Sequence, residues 1–96
     1  MPGSPPLAVA FSTAAEGDLV ARPLDRRAQV VADLEAFAAS PTFEPPRVKQ
    51  LRGFKPPLCR LRSGDYRVLF RIAGTQLNVS RVIDRKHLDR TLRRLK

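Results

Sequence analysis

The arginine side chains between residues 58 and 72 are the first groups in this sequence that can take part in chemistry. The stretch reads LCRLRSGDYRVLFRI, with two arginines on each side of the central SGD. A guanidinium stays protonated at physiological pH, and its planar fork binds two oxygens of one phosphate group. The same property makes arginine a poor general base, because its pKa lies above about 12. The stretch therefore points to phosphate binding and charge stabilisation rather than to proton transfer.

Two other side chains are candidates for proton transfer or nucleophilic attack. His87 is the single histidine, and an imidazole titrates near neutral pH, so His87 is the candidate acid or base. The alternative is an exposed histidine that binds phosphate or has no role. We interpret Cys59, next to Arg60, as a small buried hydrophobe rather than a nucleophile. One cysteine and one histidine exclude an internal disulfide and leave no set of metal ligands, so we expect no metal and no cofactor.

Positive charge is concentrated in the second half of the chain. The 96 residues carry a formal net charge of +9. Residues 1–46 hold three arginines against six carboxylates, a net charge of −3, whereas residues 47–96 hold fifteen lysines and arginines against three aspartates, a net charge of +12. This density predicts an anionic partner, either a phosphate polymer or an acidic protein. The alternative is a solvated basic surface that only confers solubility.

The arginines are positioned by two strand patterns joined by a tight turn. Side chains in a strand alternate between faces, so each arm has one apolar face and one cationic face. Ser63, Gly64 and Asp65 supply turn chemistry between the arms. On the apolar face we expect Cys59, Leu61, Tyr66, Val68, Phe70 and Ile72, and on the other face Leu58, Arg60, Arg62, Arg67, Leu69 and Arg71. We interpret Tyr66 as a core residue.

A short strand and two helices precede this hairpin. Residues 7–11, LAVAF, predict a strand, and Ser12 with Thr13 reads as the N-cap of a helix from residue 13 to about residue 22. Pro23 ends that helix and opens the next. The second helix has its apolar residues at three- and four-residue steps, through Val30, Leu34 and Phe37. Its polar face contains Arg27, Asp33 and Glu35.

The segments around the hairpin are basic. Residues 40–46, SPTFEPP, must be irregular because of their three prolines. We interpret residues 47–55, RVKQLRGFK, as a basic connector anchored by Val48, Leu51 and Phe54. Residues 76–83 predict a third antiparallel strand. Residues 85–96 predict a short basic helix with an apolar stripe of Leu88, Leu92 and Leu95.

The order of elements predicts an α+β fold. We expect a small antiparallel sheet with an N-terminal helical hairpin on one face and a short C-terminal basic helix, the other face being left partly open. Residues 7–96 form one domain in this interpretation, and residues 1–6 form a disordered leader. The N-terminus lacks the pattern of a signal peptide, and no window has the length of a membrane span, so we expect a soluble, cytoplasmic protein.

Three motifs resemble the RelE/ParE superfamily of toxins from type II toxin–antitoxin systems. They are the connector VKQLRG (48–53), the hairpin RLRSGDYRVLFRI (60–72) and the closing RVIDRKHL (81–88). The order of elements also resembles the family, so the resemblance covers nearly the whole chain. It implies the RelE/ParE-like fold, and the sequences LRG and LRSGDYR favour the RelE branch.

The resemblance implies an activity and site residues. RelE-like toxins are metal-independent endoribonucleases that cleave mRNA at the ribosome and so inhibit translation. By the resemblance, Arg60 stands where that group has a catalytic lysine, Arg67 matches the arginine after the second-arm tyrosine, and Arg85 matches the arginine after the last strand. Together with His87 these are the predicted catalytic residues. The predicted RNA-binding residues are Lys49, Arg52, Lys55, Arg62, Arg71, Lys86 and Arg90.

Two alternative functions remain open at this point. ParE-like toxins share the fold and inhibit DNA gyrase. Leu58 stands where a further lysine is expected and the C-terminal tyrosine of the family has no counterpart, so a catalytically weakened module that binds RNA or antitoxin is the other alternative. Any of the toxin interpretations implies a cognate antitoxin that presents an acidic or amphipathic helix, in addition to mRNA and the ribosome for the RelE branch, and no membrane.

Overall fold

The sheet is organised around the hairpin of β3 (Leu58–Ser63) and β4 (Tyr66–Ala73). The structure is a computed structural model that describes residues 5–95. Residues 1–4, which contain most of the predicted leader, and Lys96 at the end of the predicted C-terminal helix lie outside the described residues. The leader and the domain boundary therefore stay predictions. The elements follow the order β1 (Ala8–Phe11), α1 (Thr13–Val20), α2 (Leu24–Ala39), β2 (Val48–Leu51), β3, β4, β5 (Gln76–Asp84), a turn of 3₁₀ helix (Arg85–His87) and α3 (Leu88–Leu95).

The five strands form one sheet in the order β1-β5-β4-β3-β2. The pairs β2 with β3, β3 with β4 and β4 with β5 are antiparallel, whereas β1 pairs parallel to β5. The sheet is therefore mixed, because the chain passes through both helices and the hairpin before β5 returns beside β1. The predicted α+β fold is confirmed. A glycine with positive φ, Gly64 or Gly74, opens each two-residue hairpin turn, as expected where the turn must follow the twist of the strands.

The interpretation of residues 47–55 as a connector is wrong for its first half. Val48–Leu51 forms β2, an edge strand that pairs with β3. A strand of four residues between prolines and a glycine has too short an alternation to be recognised from sequence, and its pairing with β3 stabilises it. The predicted anchors hold, since Val48 is buried and Leu51 and Phe54 pack against the sheet.

The two N-terminal helices cover one face of the sheet. Ser12 caps α1 by accepting a hydrogen bond from the backbone N–H of Ala15 at 3.0 Å. The main core lies between α1, α2 and the apolar face of the strands, and Val30, Leu34 and Phe70 are completely buried in it. This arrangement leaves the cationic face of the hairpin on the opposite side of the sheet.

The sequence suggests that Asp33 lies on a free polar face of α2, but in the structure its carboxylate is bound to β3. Its Oδ2 accepts a hydrogen bond from the Ser63 hydroxyl at 2.6 Å, and its Oδ1 accepts one from Gln29 at 2.9 Å. Arg47 approaches the same carboxylate at 3.8 Å. Asp33 therefore ties α2 to the end of β3, just before the hairpin turn.

A second, smaller core lies on the opposite face of the sheet. Leu58, Leu69 and Ile83 are buried there, and Leu88 and Leu92 of the C-terminal segment pack over them. The third residue of the predicted apolar stripe, Leu95, is 42% exposed and does not join this core. The helix α3 thus covers only part of the second face, and the arginines occupy the rest. None of the helices within residues 5–95 is long and apolar enough to cross a membrane.

Candidate functional site

The cationic face of β3 and β4 brings arginines together in register. Arg62 lies directly opposite Arg67, and Arg60 lies between Leu69 on one side and Lys49 of β2 on the other. Residues in register on one face of an antiparallel pair have Cβ atoms about 4.5–5.5 Å apart. The alternation predicted from sequence is therefore observed, and it concentrates positive charge near the hairpin turn.

Arg67 is the most buried of these arginines. The residue is 8% exposed, and its Nη1 donates hydrogen bonds to the carbonyl oxygens of Tyr66 at 2.8 Å and Gly64 at 3.1 Å. Burial lowers the pKa of Arg67, and the charges of Arg62 and Arg85 lower it further. Arg67 thus braces the turn and adds positive charge beneath the surface.

Arg60 extends along the sheet toward β2. Its Nη2 donates to the carbonyl oxygen of Pro46, while its Nε is buried and has no hydrogen-bond partner among the described residues. Burial, followed by the charges of Arg67 and Arg62, lowers the pKa of Arg60. A buried donor without an acceptor is costly, so this position of the Arg60 side chain lowers the stability of the free protein.

Arg85 joins the cluster from the end of β5. Its backbone N–H donates to the carbonyl oxygen of Asp65 at 2.8 Å, which fixes the 3₁₀ turn against the hairpin turn. Its exposed side chain lies 3.9 Å from the Asp65 carboxylate. The charge of Arg85 also acts on Arg67. We name Arg60, Arg62, Arg67 and Arg85 the arginine cluster.

His87 lies outside the arginine cluster. It lines a neighbouring groove with Arg22, Arg81 and Arg94, and its Nδ1 lies 2.5 Å from Nη2 of Arg90. The predicted role of His87 in proton transfer stays a prediction. For His87 to take part in proton transfer, the substrate must extend from the arginine cluster into this groove.

The seven predicted RNA-binding residues occupy several places. Arg62 belongs to the arginine cluster, Lys49 lies beside it on β2, and Arg90 contacts His87. Arg71 lies nearer the other end of β4, where its Nε donates to the carbonyl oxygen of Pro56 at 3.1 Å. Three further residues, Arg52, Lys55 and Lys86, are exposed in the β2–β3 loop and in the 3₁₀ turn. The structure thus brings together only some of this set.

Cys59 and Tyr66 occupy the places expected from the sequence. Cys59 is 5% exposed on the helix-covered face, and burial raises the pKa of its thiol, opposed by the charge of Arg71. A buried, protonated thiol is a poor nucleophile. Tyr66 packs against the main core, and the Arg22 guanidinium lies 4.9 Å from the centre of its ring.

The contacts of Asp18 and Arg81 were not found from the sequence. Asp18 accepts two hydrogen bonds from the Arg81 guanidinium, at 2.8 and 3.1 Å, and a third from the backbone N–H of Val82 at 2.8 Å. The bond to Asp18 raises the pKa of Arg81 despite its burial. The two residues are 63 positions apart, so no local pattern can reveal the pair.

The arrangement can bind and stabilise negative charge. Several fixed guanidiniums on one sheet face can hold phosphate oxygens in a bidentate way and offset charge that develops on phosphorus. Among residues 5–95, no group of three or more His, Cys, Asp or Glu side chains is gathered to hold a metal ion. The arginine cluster supplies the positive charge at this site.

Comparison with solved structures identifies proteins that are similar to this chain. A chain of the RelBE2 toxin–antitoxin complex from Mycobacterium tuberculosis matches with 30% sequence identity and a TM-score of 0.70, over 82% of this chain and 98% of that chain. The chain belongs to the RelE toxin family. RelE chains of the Methanococcus jannaschii and Pyrococcus horikoshii RelB–RelE complexes share the fold, with 22% and 21% identity and TM-scores of 0.66 and 0.67. They cover 84% and 82% of this chain, and 95% and 94% of their own lengths are matched.

The relationship to RelE rests on structure together with this sequence identity. No protein-family model and no curated protein sequence matches the chain. The RelE branch expected from the connector and hairpin motifs is confirmed. This RelE-family toxin therefore carries its arginine cluster on the fold that the motifs implied.

Proposed function

We propose that this RelE-family toxin is a metal-independent endoribonuclease that cleaves mRNA on the ribosome and so inhibits translation. The observation that carries the proposal is the arginine cluster, in which Arg62 lies opposite Arg67 on the open sheet face and Arg85 approaches from the end of β5. The charges of Arg62 and Arg85 both act on the buried Arg67. Such a concentration of like charge is unfavourable in the free protein. It is favourable when a phosphodiester is bound.

Cleavage without a metal uses the RNA itself as the nucleophile. The 2′-oxygen attacks the adjacent phosphorus, its proton leaves to a base, and the bond from phosphorus to the 5′-oxygen breaks as that oxygen takes up a proton. The products are a 2′,3′-cyclic phosphate and a 5′-hydroxyl. The extra negative charge of the transition state lies on the phosphate oxygens, which is where fixed guanidiniums act best.

The residues divide these tasks in the following way. Arg62 and Arg85 are exposed and contact the phosphate oxygens directly, while Arg60 and Arg67 are held by carbonyl groups and supply fixed charge from below. His87 is the candidate for a proton transfer, reached by the RNA where it enters the neighbouring groove. Lys49 and Lys86 bind flanking phosphates.

The proposal includes a protein partner. The M. tuberculosis relative comes from a toxin–antitoxin complex. We infer that a cognate antitoxin covers the arginine cluster with an acidic or amphipathic helix, since an acidic side chain satisfies the same guanidiniums as a phosphate. Binding of the antitoxin and of RNA is then mutually exclusive.

The test is induced expression without antitoxin, followed by primer-extension mapping of a translated transcript. We expect growth arrest and new 5′ ends within the coding region. Arg85→Ala and Arg62→Ala should reduce cleavage at least tenfold, because each removes one exposed phosphate-binding guanidinium. Arg26→Ala, on the exposed side of α2, is the matched control and should cleave normally.

Three results would count against this function. Arrested cells with intact transcripts and trapped gyrase–DNA complexes would favour a ParE-like activity. Intact transcripts with retained RNA binding would indicate a module without catalysis. Full activity of both arginine variants would show that the arginine cluster is not the site.

A further inference from the structure

A second cationic groove lies beside the arginine cluster, on the α1 side of β5. It has a volume of about 240 Å³. Arginines from two elements and a turn line it, with Arg22 in the turn after α1, Arg81 on β5, and Arg90 and Arg94 on α3. None of these four is part of the arginine cluster. We name this feature the β5 groove.

Arg22 is held in the β5 groove with an unused donor. Its guanidinium lies over the ring of Tyr66, 4.9 Å from the ring centre, which is within the range of a cation–π interaction. Its Nε is buried and has no hydrogen-bond acceptor among residues 5–95. A buried guanidinium N–H without an acceptor is costly. The positive charge of Arg22 is available to an anion at the groove lining.

Arg81 is also fixed before any ligand arrives. Two hydrogen bonds to Asp18 hold its guanidinium at the wall of the groove. These bonds use Nε and Nη2, which leaves Nη1 with donors directed away from that carboxylate. Little side-chain entropy is then lost when an anion binds, and this preorganisation favours affinity.

The charge of the β5 groove favours an anion. Four arginines line or approach it, against the carboxylates of Asp84 and of Asp18. Asp84 is already engaged, since its Oδ1 accepts a hydrogen bond from the backbone N–H of Lys86 at 3.1 Å. The arginines therefore outnumber the carboxylates, and positive charge is left to be neutralised.

Asp84 also shows that the groove and the arginine cluster are neighbours. Its carboxylate acts on Arg67 of the cluster, and Arg22 and His87 of the groove act in turn on Asp84. Arg85, the next residue, belongs to the cluster. A strand of phosphates can therefore pass from one cationic site to the other around the end of β5.

We propose that the β5 groove binds a backbone phosphate of a single RNA strand, next to the phosphate held by the arginine cluster. The choice of RNA as the polymer rests on the proposed function. The groove is lined by planar forks that match phosphate oxygens, and it adjoins the site where the scissile phosphate binds. It fixes the direction of the strand and brings the RNA toward His87.

The test measures binding without cleavage. A fluorescent, single-stranded 2′-O-methyl oligoribonucleotide lacks the 2′-nucleophile, so its affinity for the purified full chain can be measured by anisotropy over a range of salt concentrations. For single strands, the slope of log K against log salt changes by about 0.7 for each phosphate contact. We expect Arg22→Gln combined with Arg94→Gln to reduce the magnitude of the slope by about 0.7.

The control separates a defined site from general charge. The control is the double variant Arg26→Gln, Arg93→Gln, which loses the same charge. Arg27 is left unchanged because it donates hydrogen bonds to three carbonyl oxygens at the end of α1. The control pair should keep a slope closer to that of the unchanged protein. Circular dichroism melting must show that both double variants are folded.

The failure of this proposal differs from the failure of the proposed function. Three results would overturn the proposal that the β5 groove binds a phosphate. They are an unchanged salt slope in the Arg22/Arg94 variant, an equal fall of the slope in the control pair, and no RNA binding by the unchanged protein. The proposal also fails if the Arg22/Arg94 variant loses antitoxin binding but keeps the salt slope of RNA binding, because that result assigns the groove to an acidic protein. Absence of mRNA cleavage in cells overturns only the endoribonuclease, since the oligonucleotide assay requires no catalysis.

Discussion

Arg62 and Arg67 place two like charges side by side, which lowers the stability of the free protein. The two arginines are in register on adjacent antiparallel strands. Like charges directly opposite each other destabilise a sheet, and burial of Arg67 strengthens the effect. Sites that bind charged ligands commonly depart from the arrangement that is best for the free fold.

This cost leads to a prediction for Arg62→Gln. The variant should be more stable than the unchanged protein by about 0.2–1 kcal/mol, because it removes the repulsion from Arg67 while the glutamine retains a long polar side chain. Its RNA cleavage should fall in the same preparation. Urea unfolding at low ionic strength measures the first effect, and cleavage of a translated mRNA measures the second.

Salt supplies the control for that prediction. Arg62 is exposed, so its repulsion is screened and the gain in stability should shrink at about 1 M salt, where the Debye length is about 3 Å. A variant that is less stable than the unchanged protein at low salt would show that Arg62 contributes to packing and not to repulsion.

At the scale of elements, alternation and helical periodicity predicted most of the fold. The period-two patterns gave β3, β4 and β5, and the apolar spacing through Val30, Leu34 and Phe37 gave α2, because both patterns report burial of one face. The strand β2 was missed since four residues carry too little alternation. The parallel pairing of β1 with β5 depends on contacts across most of the chain.

The candidate site was only partly predictable for the same reason. The arginines of β3 and β4 share a face by local alternation, and this part of the site follows from sequence. The contacts of Arg81 with Asp18 and the place of His87 in the β5 groove depend on how α1 and α3 pack against β5. No spacing within one element encodes those contacts.

The link between α2 and β3 is one such contact and carries a prediction. Ser63 is 2% exposed. Its hydroxyl donates a hydrogen bond to Asp33 at 2.6 Å, next to the turn that Arg67 braces. Hydrogen bonds to charged groups contribute about 1.5–3 kcal/mol. A double-mutant cycle of Asp33→Ala and Ser63→Ala should therefore give a coupling of that size in urea unfolding.

The cycle also guards against indirect effects. Asp33 additionally accepts from Gln29, so the single variant Asp33→Ala loses more than one contact and only the coupling term isolates Ser63. Additive effects of the two substitutions, within about 0.3–0.5 kcal/mol, would mean that this hydrogen bond does not hold α2 to the hairpin.

At the scale of the whole molecule, the two halves of the chain divide the charge between the two faces. The helices of the first half carry most of the acidic residues, and two of these, Asp18 and Asp33, are directed at the sheet, where they bind Arg81 and Ser63. On the open sheet face, Arg60 and Arg62 of β3 lie beside Arg67 of β4 and Lys49 of β2. The molecule thus presents a cationic surface that its own carboxylates leave largely unneutralised.

The net charge of +9 leads to a prediction for the free toxin. Self-repulsion destabilises a compact state of high net charge, and salt screens it. The melting temperature followed by circular dichroism should therefore rise by several degrees between about 0.02 and 0.2 M sodium chloride, a range in which the Debye length falls from roughly 20 Å to below 10 Å. The double variant Arg62→Gln, Arg85→Gln should melt at a higher temperature at low salt and respond less to added salt, because two charges are removed from the arginine cluster. A melting temperature that is constant or falls with salt would show that ion pairs such as Arg81 with Asp18 outweigh repulsion across the molecule.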